Sequence, residues 1–197
     1  VPILREQNHL HQRIIGMQFH NKENEKVTLQ DGRVVFLSRS CAVVFCLTVK
    51  FNGQTYFLLV KRGPDCPDEI GKWCLPCGYL DWNESGIDGA KREVFEETGL
   101  NVDNLLLQNL LTAADNHHLD QPFFVNHYPH SNRQNVTLHF GVHLELDFLP
   151  ILDMNSLNRG ETADVKFVPY KSLEHIDFAF GHKKVTELWM DTNNLKF

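Results

Sequence analysis

The hydrophobic and polar positions of this chain change rhythm several times, and each rhythm predicts a different element. Residues 41–49 form an apolar run, as in a strand buried on both faces. Asn52-Gly53 is a strong hairpin turn, and 55–61 reads as the returning strand. Residues 135–147 alternate. Val136, Leu138, Phe140, Val142, Leu144 and Leu146 share one face, and Thr137, His139, Gly141, His143 and Glu145 share the other. That polar face can line a cleft or meet solvent, and for His139 and His143 solvent is the favoured reading. Residues 86–98 read as a helix, because Ile87, Ala90 and Val94 recur at helical spacing. Ser85 suits its N-cap, with Asp88 three positions later, and Gly99 suits its end. Gly86 and Gly89 oppose that helix by roughly 1 kcal/mol each. Residues 104–112 read as a strand, and 179–190 as an amphipathic terminal helix. Residues 1–34 are largely polar. A helix is expected over 10–17, and a hairpin joins 26–30 to 33–36 through Asp31-Gly32.

Composition narrows the class. The chain has 197 residues, 42% hydrophobic and 22% charged, enough for one well-packed domain. No apolar stretch approaches the roughly 20 residues that span a bilayer, so no membrane role is expected. The formal net charge of −6 argues against nucleic acid as a partner held by bulk electrostatics. Five cysteines, Cys41, Cys46, Cys66, Cys74 and Cys77, and no secretory signal pattern point to reduced thiols and a cytoplasmic setting. Cys74 and Cys77 form a CxxC. Zinc or redox chemistry is the lesser reading, since no second CxxC completes a four-ligand site.

The chemistry concentrates between Gly78 and Leu100. Glu93, Glu96 and Glu97 fall at i, i+3 and i+4 of the expected helix, so their carboxylates crowd one face. A hard divalent cation relieves that crowding, because Mg²⁺ takes oxygen ligands from carboxylates and phosphates. A solvated acidic face is the bland alternative. Arg92 stands four residues before Glu96 and can orient it by a charge-assisted hydrogen bond.

Gly78, Glu84, Arg92, Glu93, Val94, Glu96, Glu97, Gly99 and Leu100 together give G-x5-E-x7-R-E-U-x-E-E-x-G-U, with U aliphatic. This resembles the box of the Nudix hydrolases, which cleave phosphoric anhydrides. A chance match in this length is on the order of one in ten million. The resemblance covers residues 39–192 and implies an α/β/α sandwich with a mixed sheet, preceded by an extension over 1–38. It implies Mg²⁺ or Mn²⁺ held by Glu93, Glu97 and Glu96 with the carbonyl of Cys77, where many members carry a second glycine. It also implies that Glu84 supports the loop and that Gly78 lets the chain approach phosphate. Catalysis would involve Glu96, Glu97 and Arg92. The general base is a box glutamate in some members and a distal residue in others. Glu161, in Asn158-Arg159-Gly160-Glu161-Thr162 ahead of a late strand at 164–169, is the distal candidate. An exposed loop glutamate is its bland reading.

The substrate is less legible. The stretch 114–133 carries His117, His118, Phe123, Phe124, His127, Tyr128 and His130. Phe123 and Tyr128 are candidates to stack on a nucleobase, although Phe123 and Phe124 can equally anchor a long loop. A nucleoside diphosphate derivative, ADP-ribose-like or nucleotide-sugar-like, is the favoured small-molecule partner. The alternatives are a non-catalytic nucleotide-binding module of the same fold and an RNA-end or dinucleoside polyphosphate hydrolase. Residues 1–38 are a candidate for homodimerisation, for covering the site, or for passive packing.

Overall fold

The splaying of one hairpin shapes the whole sheet. A computed structural model describes residues 24–110, 119–129, 134–153 and 160–195. Strand β3 (Cys41–Phe51) and strand β4 (Gln54–Arg62) pair only near their turn, from Thr48↔Phe57 to Phe51↔Gln54. Asn52 and Gly53 both have positive φ, 47° and 73°, which matches the twist of adjoining strands. Beyond Thr48 the two strands separate. The vacated edge of β3 is taken by β6 (Cys77–Tyr79), paired from Ala42↔Tyr79 to Val44↔Cys77. Short β5 (Trp73–Cys74) pairs with β4. The 73–79 segment is thereby built into the sheet, with Phe45 N–H donating to the Pro76 carbonyl at 2.9 Å.

The other edge of β3 pairs in parallel with β8 (Val136–Glu145), and β8 pairs antiparallel with β7 (Phe124–His127). Strand β9 (Thr162–Pro169) runs antiparallel along β4. The sheet is therefore mixed, with order β5-β4-β3-β8-β7 plus β6 on β3 and β9 on β4.

Both faces are covered, which explains the unbroken apolar character of β3. On one face Val43, Phe45, Leu47, Phe140, Val142 and Leu144 pack against Ala90 and Val94 of α1 (Gly86–Thr98) and Val102 and Leu105 of α2 (Val102–Leu110). On the other, Val44, Cys46, Phe57 and Leu59 pack against Val185, Trp189 and Met190 of α3 (His182–Thr192). A 3₁₀ turn, Tyr170–His175, leads from β9 toward α3 and buries Leu173. This is the α/β/α sandwich expected from sequence.

Three expectations need correction. Residues 104–110 are helical, in α2, instead of extended. Val102, Leu105 and Leu106 share a face at i, i+3 and i+4, and the Asn101 side chain accepts the Asn104 N–H at 2.9 Å as a cap. Residues 111–112 lie outside the described residues. The stretch 114–133 contains a strand, β7, at the sheet edge. The polar face of β8 is covered along most of its length, and only Glu145 at its end is exposed. His139 is 2% exposed and His143 half-buried, because Phe123 and Phe124 pack on the His139 ring and, next along the face, lies Trp189. Gly141 leaves the space for it, since a Cβ there would meet the Trp189 ring and the Cys46 carbonyl.

The chain divides into two units, Val1–Ser38 and Arg39–Phe197. Within the first, β1 (Glu25–Thr28) and β2 (Val34–Leu37) form an antiparallel hairpin with Gly32 at its tip, near the expected bounds. The helix expected over 10–17 lies outside the described residues.

Candidate active site

Helix α1 presents the carboxylates. Ser85 caps it in extended geometry, its hydroxyl accepting the Asp88 N–H at 3.3 Å and lying 2.6 Å from the Asp88 carboxylate. Gly99 ends it in the left-handed region. Ala90 and Val94 bury one side, and the turn of helix bearing Glu93, Glu96 and Glu97 faces β6.

Arg92 organises this face. Its Nε and Nη2 donate to both oxygens of Glu84, at 3.1 and 2.9 Å. Its Nη1 donates to Glu93 Oε1 at 2.8 Å and to Glu96 Oε2 at 2.9 Å, and Nη2 also reaches the Tyr79 carbonyl at 3.0 Å. Hydrogen bonds from Arg92 hold Glu84 below the usual carboxylate range. Glu84 also accepts the Asp81 N–H at 2.8 Å, so it braces the 79–84 loop against the helix.

Glu93 and Glu97 carry the strained charges. The Glu93 side chain is 12% exposed. Burial pushes its carboxyl up, against the pull of Arg92. Glu97 is pushed well up, first by burial, then by the Cys77 thiol and by Glu93. Its Oε2 accepts the Cys77 N–H at 3.1 Å. The Glu93 carboxylate lies directly over Gly78, where any Cβ would overlap it. Glu96 is 55% exposed at the rim.

This donor set fits a hard divalent cation. Its side-chain donors are carboxylates, and burial disfavours the charge of two of them, Glu93 and Glu97. Among the described residues no three acidic, histidine or cysteine side chains close on one point.

The remaining candidates sit elsewhere. Phe123 is a core residue and not a surface platform. Its ring is 4.7 Å from Trp189 and 6.2 Å from His139, on the sheet face opposite α1. Tyr128 is exposed just beyond β7. Glu161 has an exposed side chain just ahead of β9. His117, His118 and His130 lie outside the described residues.

Sequence reasoning missed Arg62 and His182. Arg62 ends β4 with its side chain 11% exposed, bonded to the Asp68 carboxylate at 3.0 Å and stacked 4.6 Å from the Phe180 ring. Its charge is felt by Glu97, Cys77 and His182. Buried His182 accepts the Leu75 N–H on Nδ1 at 3.1 Å, and burial lowers its pKa to about 3. A charged residue closing an apolar strand was the available signal for Arg62. A histidine opening a helix gave none.

A profile described as NUDIX domain matches residues 39–189. No curated protein sequence matches the chain. Several solved structures share the fold. The NUDIX domain of Shewanella oneidensis NrtR, complexed with ADP ribose, is 18% identical, with TM-score 0.58 over 80% of this chain and 90% of that one. A C. elegans Ap4A hydrolase in a binary complex is 15% identical, with TM-score 0.57 over 79% and 98%. A bifunctional NMN adenylyltransferase/ADP ribose pyrophosphatase from Francisella tularensis, complexed with AMP and Mn ion, is 19% identical. Its TM-score is 0.56 over 79% of this chain and 42% of that chain.

Proposed function

We propose, from the premise that this chain belongs to the Nudix family of pyrophosphohydrolases, that it hydrolyses the diphosphate of a nucleoside diphosphate derivative, ADP-ribose-like or nucleotide-sugar-like. Glu93 and Glu97 hold Mg²⁺ or Mn²⁺, Glu96 completes the acidic rim, and the Cys77 carbonyl is the backbone donor. The observation that carries this is the pairing of Glu93 over Gly78 with Glu97 on the Cys77 amide. Two half-buried carboxylates are set against adjacent residues of one strand, Glu93 where only a glycine fits beneath it and Glu97 on the neighbouring amide.

The division of labour follows from charge. When bound, the cation neutralises phosphate oxygens and lowers the pKa of coordinated water. Arg92 fixes the rotamers of Glu93 and Glu96 and has little capacity left to grip substrate, because its donors are committed to carboxylates and the Tyr79 carbonyl. Gly78 keeps the floor of the cleft low enough for a phosphate to approach. A carboxylate takes the proton from the attacking water. Glu161 is proposed for that role, because it stands just ahead of β9, beside the β4 terminus whose Arg62 lies in the field of Glu97.

Support for the nucleotide class comes from two structures of this fold solved with ADP ribose and with AMP. A screen of ADP-ribose, nucleotide sugars, dinucleoside polyphosphates and nucleoside triphosphates with Mg²⁺ and Mn²⁺ tests it. Turnover of the first two classes is expected. Selective turnover of triphosphates would overturn the substrate assignment.

A further inference from the structure

We infer that the 63–72 loop between β4 and β5 is a positioning device for Glu161, with Gly63 and Cys66 as the residues that fix the Glu161 peptide. This rests on the proposal that Glu161 is the distal carboxylate.

The loop is tied to the 160–161 backbone by three contacts. Gly63 N–H donates to the Glu161 carbonyl at 2.6 Å, and Asp65 N–H donates to the Gly160 carbonyl at 2.7 Å. The Cys66 thiol donates to the same Glu161 carbonyl at 3.2 Å. Regular β4–β9 pairing breaks just before this point, with a register shift between Lys61 and Arg62. These contacts therefore replace the ladder where it fails. Gly63 is buried, and a Cβ there would lie within contact distance of the Gly160 and Glu161 backbone. Backbone cannot swing aside as a side chain can, so this approach requires glycine.

The same loop is anchored on the box side. Arg62 Nε donates to the Asp68 carbonyl and Nη2 to the Asp68 carboxylate, both at 3.0 Å, which folds 63–68 back over the guanidinium. Gly71 N–H returns to the Arg62 carbonyl at 3.0 Å, and Arg62 N–H to Lys72 at 2.9 Å. The strand that follows leads directly to Cys77 and Gly78. One short loop thus links the peptide of Glu161 to the segment beneath Glu93 and Glu97. Precise spacing between a general base and its water is what such a link supplies, since small misplacements cost large rate factors.

The test compares Gly63→Ala, Cys66→Ala, Cys66→Ser and Glu161→Gln in the full chain. Backbone hydrogen exchange over 160–165 is read by mass spectrometry, and steady-state hydrolysis of ADP-ribose is read with Mg²⁺. Gly63→Ala and Cys66→Ala are expected to speed exchange at 160–163 and to lower kcat about tenfold with KM within about twofold. Cys66→Ser, which keeps a donor, restores both. Unchanged exchange in Gly63→Ala and Cys66→Ala overturns the clamp itself. Slow Glu161→Gln with normal kcat in the clamp variants overturns the positioning role alone. Normal kcat in Glu161→Gln overturns the reading of Glu161 and with it the role of the loop.

Discussion

Glu97 is bonded to the strand it faces: its Oε2 accepts the Cys77 backbone N–H at 3.1 Å, across 20 residues of sequence. The bond fixes one carboxylate oxygen of Glu97. It also ties α1 to β6, so the helix and the glycine floor move as one piece. Replacing Glu97 by Gln keeps an acceptor for Cys77 but removes the charge. The variant should lose about 10²-fold or more in kcat. Wild type should gain on the order of 5 °C in Tm with saturating Mg²⁺, and Glu97→Gln should gain far less. In chelator the variant should melt no lower than wild type, because a disfavoured buried charge has gone. Full turnover by Glu97→Gln would remove Glu97 from the ligand set.

Arg92 hydrogen-bonds three carboxylates, and two of them, Glu84 and Glu93, have side chains only 15% and 12% exposed. Arg92→Ala strands both. Urea denaturation should show a loss of about 2 kcal/mol, below the 3–5 typical of fully buried pairs because Arg92 itself is partly exposed. Arg92→Lys should recover only part of this, since an ammonium cannot bond both Glu84 oxygens in the guanidinium's fork. A loss below about 0.5 kcal/mol in Arg92→Ala would mean the network is a surface arrangement.

Much of this site was readable from the chain because box chemistry is local. Glu93, Glu96, Glu97 and Arg92 meet through helical spacing alone, and Ser85 and Gly99 mark the helix ends. Gly78 and Cys77 were placed by motif, but the splayed hairpin that seats them depends on pairing across the sheet. The Leu105-Leu106-Leu107 run satisfies strand and helix periods alike, and only the Asn101 cap and the covering face decide for helix. His139 looked solvent-facing because alternation reports two faces without saying what covers the second. Phe123 and Phe124 cover His139, and Trp189 covers Gly141 beside it. Arg62 was marked only as a charge closing an apolar strand, while its contact with Phe180 and that of His182 with Leu75 span more than 100 residues and leave no local pattern.

Trp189 reaches across the sheet through its indole N–H, which donates to Thr48 Oγ1 at 3.1 Å, and its ring occupies the space above Gly141. Gly141→Ala places a methyl against that ring and the Cys46 carbonyl. Overpacking of this kind costs about 1–3 kcal/mol, so chemical denaturation should shift by that amount. The α1 site lies on the opposite face, and KM and the Mg²⁺ requirement should stay within about twofold below the melting range. A stability change under about 0.5 kcal/mol would show that the α3 face repacks freely.

His182 should give the protein an acid-sensitive step that is unconnected with its carboxylates. Its Nδ1 accepts the Leu75 N–H at 3.1 Å, which requires the neutral ring, and burial lowers its pKa from 6.5 to about 3. The unfolded chain therefore binds a proton that the folded chain refuses between those values. Stability is fully present above about pH 6.5 and falls as pH drops toward 3, by up to about 1.4 kcal/mol per pH unit for one such group. His139, lowered to about 4 by burial, adds to the slope over its upper part. His182→Asn retains an acceptor for Leu75 without a titrating ring. Equilibrium unfolding from pH 7.5 to 4.5 should show a shallower decline in this variant, with the two curves converging on their pH 7.5 difference only above pH 6.5. Parallel curves across the whole range would show that His182 carries a proton already in the folded state or leaves its pocket before it titrates.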